Sequence, residues 1–363
     1  MHTFSAKIPG DLIRPAIRTA ADGMREVKPG TPFRQIKKIL DSGYNCYLTG
    51  TYGFALSVHS WLKKESLKLI PIVDYAAWRQ HKQILHEYQS RVWIKISKGR
   101  PNIHKAPQNP WLSEFFSGYD DFFMGFADFL GMNGARQWYE RGIQYPVVNH
   151  RLFPFYGVYF PTRFDHLCLF DRWISSEKDF RRALDIGTGC GILSFIMRKQ
   201  GVSFIHATDT NPNAIFGLME ELHRHGIMHG DIIFPEQADL FGSFVPGPGD
   251  LVVFNPPWIP GKAETALDSA SYYPDGFFER FFNEIRTRCI KGTTIAILFS
   301  DFARVAGITS RHPIEEALQQ FSKDVHLLIH DKKPVSEQPG KYKSWIADIR
   351  QNEHVELFVL KKN

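Results

Sequence analysis

From residue 183 onward the chain alternates short apolar runs of strand length with amphipathic stretches of helix length, and this alternation constrains its fold more than any other feature. The strand-like runs are 183–186, 204–208, 251–254, 294–299, 325–329 and 355–360, with a shorter one near 232–234. Helical stretches fill several of the gaps, at 192–198, 212–225, 276–289 and 313–321. Asn211 and His312 each stand just before a proline suited to a first helical turn. Such a pattern builds a Rossmann-like α/β sheet, doubly wound and mostly parallel, with helices on both faces. Sheets of this kind bind ligands at the carboxyl ends of their strands, so residues just past each run are the candidates for a site.

The first run passes straight into Asp185-Ile186-Gly187-Thr188-Gly189-Cys190-Gly191 and then into a helix. Glycines there let the backbone turn tightly and approach a ligand without a Cβ in the way, which marks a nucleotide-type site. A dinucleotide fingerprint reads G-x-G-x-x-G/A, whereas here the third glycine, Gly191, comes one position early. An acid at Asp185 suits the ammonium of S-adenosylmethionine (SAM) better than it suits a pyrophosphate. The second run ends in Thr208-Asp209-Thr210-Asn211, which places the Asp209 carboxylate about 20 residues after the glycines, where it accepts two ribose hydroxyls. Asp239, after the next run, is the candidate for an adenine amine.

The apolar run 251–254 leads directly into Asn255-Pro256-Pro257-Trp258. Two prolines remove two backbone donors and hold the chain extended, so this turn is rigid. Rigidity has a chemical use here. A planar –NH2 group is a poor nucleophile because its lone pair is delocalised; acceptors from the Asn255 side chain and the Pro256 carbonyl bind its two hydrogens and leave the lone pair facing a methyl donor. Alignment and a dry, preorganised site then do most of the work. Trp258 is expected to stack on the flat substrate group and to favour a cationic transition state by cation–π attraction.

The segment Asp185 to Gly191, Asp209 and the tetrad Asn255 to Trp258 together resemble the class I SAM-dependent methyltransferases that carry an N/D-P-P-Y/F/W motif. The resemblance covers residues 151–363 and points to the HemK-like, or methyltransferase small domain, group. Tyr156-Gly-Val-Tyr-Phe-Pro-Thr-Arg163 resembles that group's pre-sheet segment, which contacts cofactor and substrate; Thr162 and Arg163 are thereby implied in cofactor binding. The resemblance implies SAM as cofactor and a protein glutamine amide as acceptor. The same tetrad serves adenine N6 methylation, in which a duplex base must be flipped out and stacked. A SAM-binding protein without catalysis and an NAD-dependent oxidoreductase are the readings of other kinds; the intact tetrad argues against the first and the glycine spacing against the second.

Residues 1–150 carry no such motif and are expected to form a separate, mainly helical or α+β domain, with the methyltransferase-like domain at 151–363. Expected elements in the first part are helices at 33–40 and 74–88, a strand at 91–96 and a buried helix or helix pair within 44–62. Residues 1–110 hold 18 Lys+Arg against 7 Asp+Glu, a net +11, while the remainder stands at −5. That asymmetry suits an acidic partner or nucleic acid, and equally a solvated basic surface. Partners are therefore expected to be a protein substrate or a nucleic acid met through this basic part. Segment 44–62 is too polar and segment 111–130 too acidic for a membrane span, and the start of the chain lacks the form of a signal peptide. Four cysteines without a C-x-x-C pair fit a reducing, cytoplasmic setting.

Other candidates carry less. His223, His225 and His229 lack a fourth ligand at suitable spacing, and Gly226 interrupts the helix between them, so no metal is expected. Cys190 has no neighbouring base and reads as a small packing residue. Arg163 suits the SAM carboxylate, or else an ion pair with Asp165 or Asp171. The stretch 341–350, with Trp345, is placed to wall a substrate pocket or to supply a core tryptophan.

Overall fold

The computed structural model describes residues 8–177, 179–227, 232–264, 268–336 and 345–363. It divides into two compact units, Lys7–Gln137 and a larger unit running from Trp138 to Asn363. The division falls ahead of residue 150 because the short hairpin of Ile143–Gln144 and Arg151–Leu152 belongs to the larger unit.

The smaller unit holds a six-stranded mixed sheet, in the order Ile17–Arg18, Asp121–Gly125, Val92–Ser97, Asn45–Leu48 and Met24–Val27, with Arg100–Pro101 paired to Val92–Ser97. Helices Phe33–Asp41, Tyr52–Leu69 and Tyr75–Gln89 accompany it. The region expected as one helix or a helix pair splits into a strand and a helix. Cys46 and Leu48 fill buried sheet positions, and Thr51 then caps the helix by accepting from the Phe54 N–H at 3.2 Å. Among the described residues no helix is long and apolar enough to cross a membrane.

The larger unit follows the strand and helix alternation of the sequence. Its elements are α1 (Asp165–Ser176), β1 (Arg182–Ile186), α2 (Ile192–Lys199), β2 (Phe204–Asp209), α3 (Pro212–Arg224), β3 (Ile233–Gln237), β4 (Leu251–Phe254), α4 (Phe277–Arg288), β5 (Thr294–Ser300), α5 (Pro313–Gln320), β6 (Val325–Pro334), α6 (Trp345–Gln351) and β7 (His354–Lys362). The seven-stranded sheet has the order β3-β2-β1-β4-β5-β7-β6. The first five of these strands run parallel, and β7 is antiparallel to both β5 and β6.

This topology positions the site. The chain builds outward from β1 through β2 to β3, then returns to lay β4 on the other side of β1. The crevice opens where that order reverses, at the carboxyl ends of β1 and β4. β4 is buried along its whole length, which is why its sequence is a continuous apolar run without alternation. Phe254, Phe278, Phe281 and Phe282 join Leu184, Val252, Ile295 and Leu360 in the core on one side of the sheet, and Trp258 packs against that cluster.

Candidate active site

The glycine loop is held by hydrogen bonds that its own residues cannot supply. Gly191, with φ 82°, is the N-cap of α2 and has no side chain with which to cap it. Asp185 does this from beneath. Its Oδ2 accepts from the Ser194 N–H at 3.1 Å, the Ser194 hydroxyl at 2.6 Å and the Thr188 hydroxyl at 2.8 Å. A Cβ at Gly191 would lie 2.6 Å from Leu218 Cδ1, and one at Gly189 would lie 3.1 Å from the Tyr159 carbonyl oxygen. The loop is therefore closed against the pre-sheet segment in a way that only glycine permits.

Asp209 ends β2 and ties the loop to the next helix. Its Oδ2 accepts from the Gly189 N–H and its Oδ1 from the Asn211 N–H, both at 2.9 Å. Burial raises its carboxyl above the usual carboxylate range, while these backbone donors act in the opposite direction. Asn211 caps α3 through Oδ1 and donates from Nδ2 to the Gly157 carbonyl at 2.9 Å; Asn213 does the same for the Tyr156 carbonyl at 2.8 Å. The pre-sheet segment is thus pinned over the carboxyl end of β2.

Two cavities meet at Asn255. The first, about 480 Å³, is lined by Gly187, Thr188, Gly189, Asp209, Thr210, Asn211, Asp239, Asn255 and Pro257, with Phe254, Phe277 and Arg280. The second, about 280 Å³, is lined by Thr162, Arg163, His166, Pro256, Trp258, Phe302, Ile346 and Arg350. Tyr159, Asn255 and Ala270 line both. The Trp258 indole N–H donates to Asn255 Oδ1 at 3.2 Å, which fixes the orientation of the amide. Beyond the tetrad, Ile259–Pro260 pairs with Tyr272–Tyr273 and frames the opening.

The structure redistributes several residues that the sequence places together. Asp185 does not line the first cavity: it sits one residue before the end of β1, and its Oδ2 is taken by Thr188 and Ser194, while its Oδ1 is buried without a hydrogen-bond partner among the described residues, so it acts on the cavity through the loop. Thr162 and Arg163 line the second cavity and not the glycine-lined one. Arg163 lies 3.8 Å from buried Glu353, whereas Asp165 is engaged by Ser336 and Asp171 by Lys199. Asp239 lines the first cavity with its carboxylate paired to Arg280. Trp258 is held edge-on to His166, with centroids 5.2 Å apart and planes at 89°. Cys190 is buried, and burial pushes its thiol up to about 12. His225 reaches Glu221 at 2.9 Å, while His229 lies outside the described residues, as do residues 341–344. Sequence reasoning missed His166 and Arg280, whereas Tyr159 and Arg350 fall inside the stretches 156–163 and 341–350 that it places near a site without singling them out. His166 and Arg280 each stand alone in their stretch without a motif, and only the fold brings them to the cavities.

Burial pushes the Asp185 carboxyl up to about 6; hydrogen bonds from Ser194 and Thr188 oppose the rise and the Asp209 charge adds to it. The folded chain therefore holds a proton that the unfolded chain releases near 3.8. This group's contribution to stability is complete below that value and is lost as pH rises through about 6, a change of about 3 kcal/mol. Ligand-free protein is expected to lose melting temperature between about pH 4 and pH 6, the window bounded by the unfolded and folded values of this group. Asp185→Asn is expected to shrink that loss, and equal losses in both proteins by calorimetry would refute the assignment.

A glycine cradle closed by backbone contacts, a carboxylate at the end of β2 with lone pairs to spare, and a rigid Asn-Pro-Pro turn at the end of β4 form one continuous site. With the sheet order, they give the larger unit a Rossmann-like α/β arrangement. Residues 158–270 match the family model of the methyltransferase small domain. A candidate protein N5-glutamine methyltransferase of Methanocaldococcus jannaschii is 32% identical over 124 residues, which cover 32% of this chain and 60% of that protein. A ribosomal protein L11 methyltransferase of Rhizobium rhizogenes is 36% identical over 85 residues, covering 23% of this chain and 28% of that one. The chain thus spans less than two thirds of either relative. Among solved structures, Trm5b of Pyrococcus abyssi aligns at 16% identity with a TM-score of 0.39, over 61% of this chain and 55% of that chain.

Proposed function

We propose that the protein is a SAM-dependent N-methyltransferase whose first cavity holds SAM and whose acceptor, a protein glutamine amide, presents a planar nitrogen at Asn255. The observation that carries this reading is that Asn255 lines both cavities, between the glycine cradle and the pocket of Pro256 and Trp258. When bound, SAM supplies a methyl carbon activated by a sulfonium. Gly187 and Gly189 admit the ligand close to the backbone, and Asp209 takes ribose hydroxyls on the lone pairs left free by Gly189 and Asn211. Asn255 Oδ1, oriented by Trp258, accepts one hydrogen of the acceptor –NH2, and the Pro256 carbonyl accepts the other. The phenylalanine-lined wall excludes water and so strengthens each of these interactions. A protein acceptor agrees with the names of the two curated relatives.

A nucleobase amine is the second reading, favoured by the net +11 of residues 1–110. Arg18 over Trp93 and Arg25 over Tyr44, at 4.9 and 4.8 Å from the ring centroids, already pair part of that charge with aromatic rings. Calorimetry with SAM and with NAD tests the cofactor: SAM is expected to bind and NAD not, and the reverse would overturn the proposal. Label carried from SAM into a cell extract then tests the acceptor. Label released by protease and resistant to nuclease supports the amide, and the opposite pattern supports the nucleobase.

A further inference from the structure

His166, at the second position of α1, is 2% exposed and lines the second cavity. Both of its ring nitrogens are buried, and neither has a hydrogen-bond partner among the described residues. Buried polar atoms are nearly always paired, so an imidazole with both nitrogens unspent, in the wall of a cavity, points to a group that enters from that cavity. The ring is held in place. Asp165 beside it accepts from the Ser336 N–H at 3.1 Å and pairs with Lys333, and the Trp258 indole stands perpendicular to it. A residue needed only for packing here would have no use for two nitrogens.

We propose that the second cavity seats the methyl acceptor, a neutral planar N–H group, and that the His166 imidazole takes the proton which the acceptor nitrogen sheds on methylation. This rests on the methyl-transfer reading above. The nitrogen lone pair forms the N–C bond as the C–S bond breaks with its electrons going to sulfur. The nitrogen then carries a positive charge and both of its hydrogens; the one held by the Pro256 carbonyl, which lines the same cavity as His166, leaves that acceptor and passes to the free acceptor nitrogen of the imidazole, which becomes imidazolium, while Asn255 Oδ1 keeps the other. Burial holds the His166 pKa down to about 4, opposed only in part by Asp165; Arg163 and Arg350 line the same cavity. The ring is therefore neutral at physiological pH, with one nitrogen donating and the other accepting. A weak base suffices, because an N-methylated amide cation is a far stronger acid than an imidazolium.

The test uses the full chain with isotope-labelled histidine ring nitrogens, saturated with S-adenosylhomocysteine and titrated with N-acetylglutamine amide and, separately, with adenine. His166 is assigned by its absence from the His166→Phe spectrum. A saturable shift of its ring resonances with either probe is expected, and the probe that produces it identifies amide or nucleobase. Absence of any saturable shift in protein that binds S-adenosylhomocysteine overturns this proposal alone, whereas failure to bind S-adenosylhomocysteine overturns the methyl-transfer reading beneath it. His166→Phe is expected to keep S-adenosylhomocysteine affinity within about twofold and to slow labelling of the extract about 100-fold. In His166→Ala, added imidazole should restore part of the rate. Undiminished labelling by His166→Phe, or a loss in His166→Ala that imidazole does not relieve, would reduce the residue to packing.

Discussion

Asn255→Ala is expected to bind SAM as wild type does and to transfer methyl groups about 100 to 1000 times more slowly, the cost of removing one preorganised hydrogen-bonding group from a reacting centre. The separation of the two effects follows from where the side chain stands. On the proposed reading SAM affinity is drawn from the glycine cradle and Asp209, and among the described residues no hydrogen bond joins Asp209 to Asn255. The Asn255 amide instead faces the junction of the two cavities, held there by the Trp258 N–H. Trp258→Phe is the control, since it keeps an aromatic ring while removing that N–H together with part of the indole's bulk. Its loss is expected to be that of one positioning hydrogen bond, about three- to tenfold. Calorimetry gives the affinities and label incorporation gives the rates; an Asn255→Ala protein within threefold of the wild-type rate would remove Asn255 from the chemistry.

The fold of the larger unit was legible because its strands are short apolar runs separated by helices with their own punctuation. β4 is found at the residues where the apolar run places it, and Asn211 caps α3 ahead of Pro212 as that proline suggests. The two carboxyl ends that matter, β2 at Asp209 and β4 at Asn255, could be read for the same reason. In the smaller unit the strands Met24–Val27, Asn45–Leu48 and Asp121–Gly125 are short and mix polar with apolar residues, so their pairing is decided by partners far along the chain. The division of the site into two cavities was not legible either. Thr162 and Arg163 precede the glycine loop in sequence, and only the path of the pre-sheet segment across the sheet ends carries them past Tyr159 to the tetrad side. Asp185 shows a third limit. An acid before a glycine loop has the same letter whether it meets a ligand or a helix end, and here Ser194, nine residues on, claims it.

Asp209→Ala is expected to weaken SAM binding by a factor of about 100 to 10,000, the largest effect on affinity in the site. An ionised carboxylate has about four acceptor positions, and Gly189 and Asn211 use one on each oxygen. The Thr210 N–H also acts on this carboxylate, and the acceptor capacity that remains is what a ribose hydroxyl pair would use. Hydrogen bonds to a charged group contribute about 1.5–3 kcal/mol each, and every 1.4 kcal/mol is tenfold in affinity, which gives the range for two. Part of the loss in the alanine variant comes from the loop, because the Gly189 and Asn211 N–H groups lose their acceptor. Asp209→Asn separates the terms: it keeps the size of the side chain and one acceptor oxygen, so it should melt closer to wild type than the alanine variant while still binding SAM at least tenfold more weakly. The raised carboxyl adds a sign that can be checked. Ribose hydroxyls donate best to the ionised form, so wild-type affinity should fall on acidification at a pH above the usual carboxylate range, and this limb should vanish in Asp209→Asn. An asparagine variant with wild-type affinity and an unchanged pH limb would mean that the ribose is held elsewhere, with the Asp239 and Arg280 pair that lines the same cavity as the next candidate.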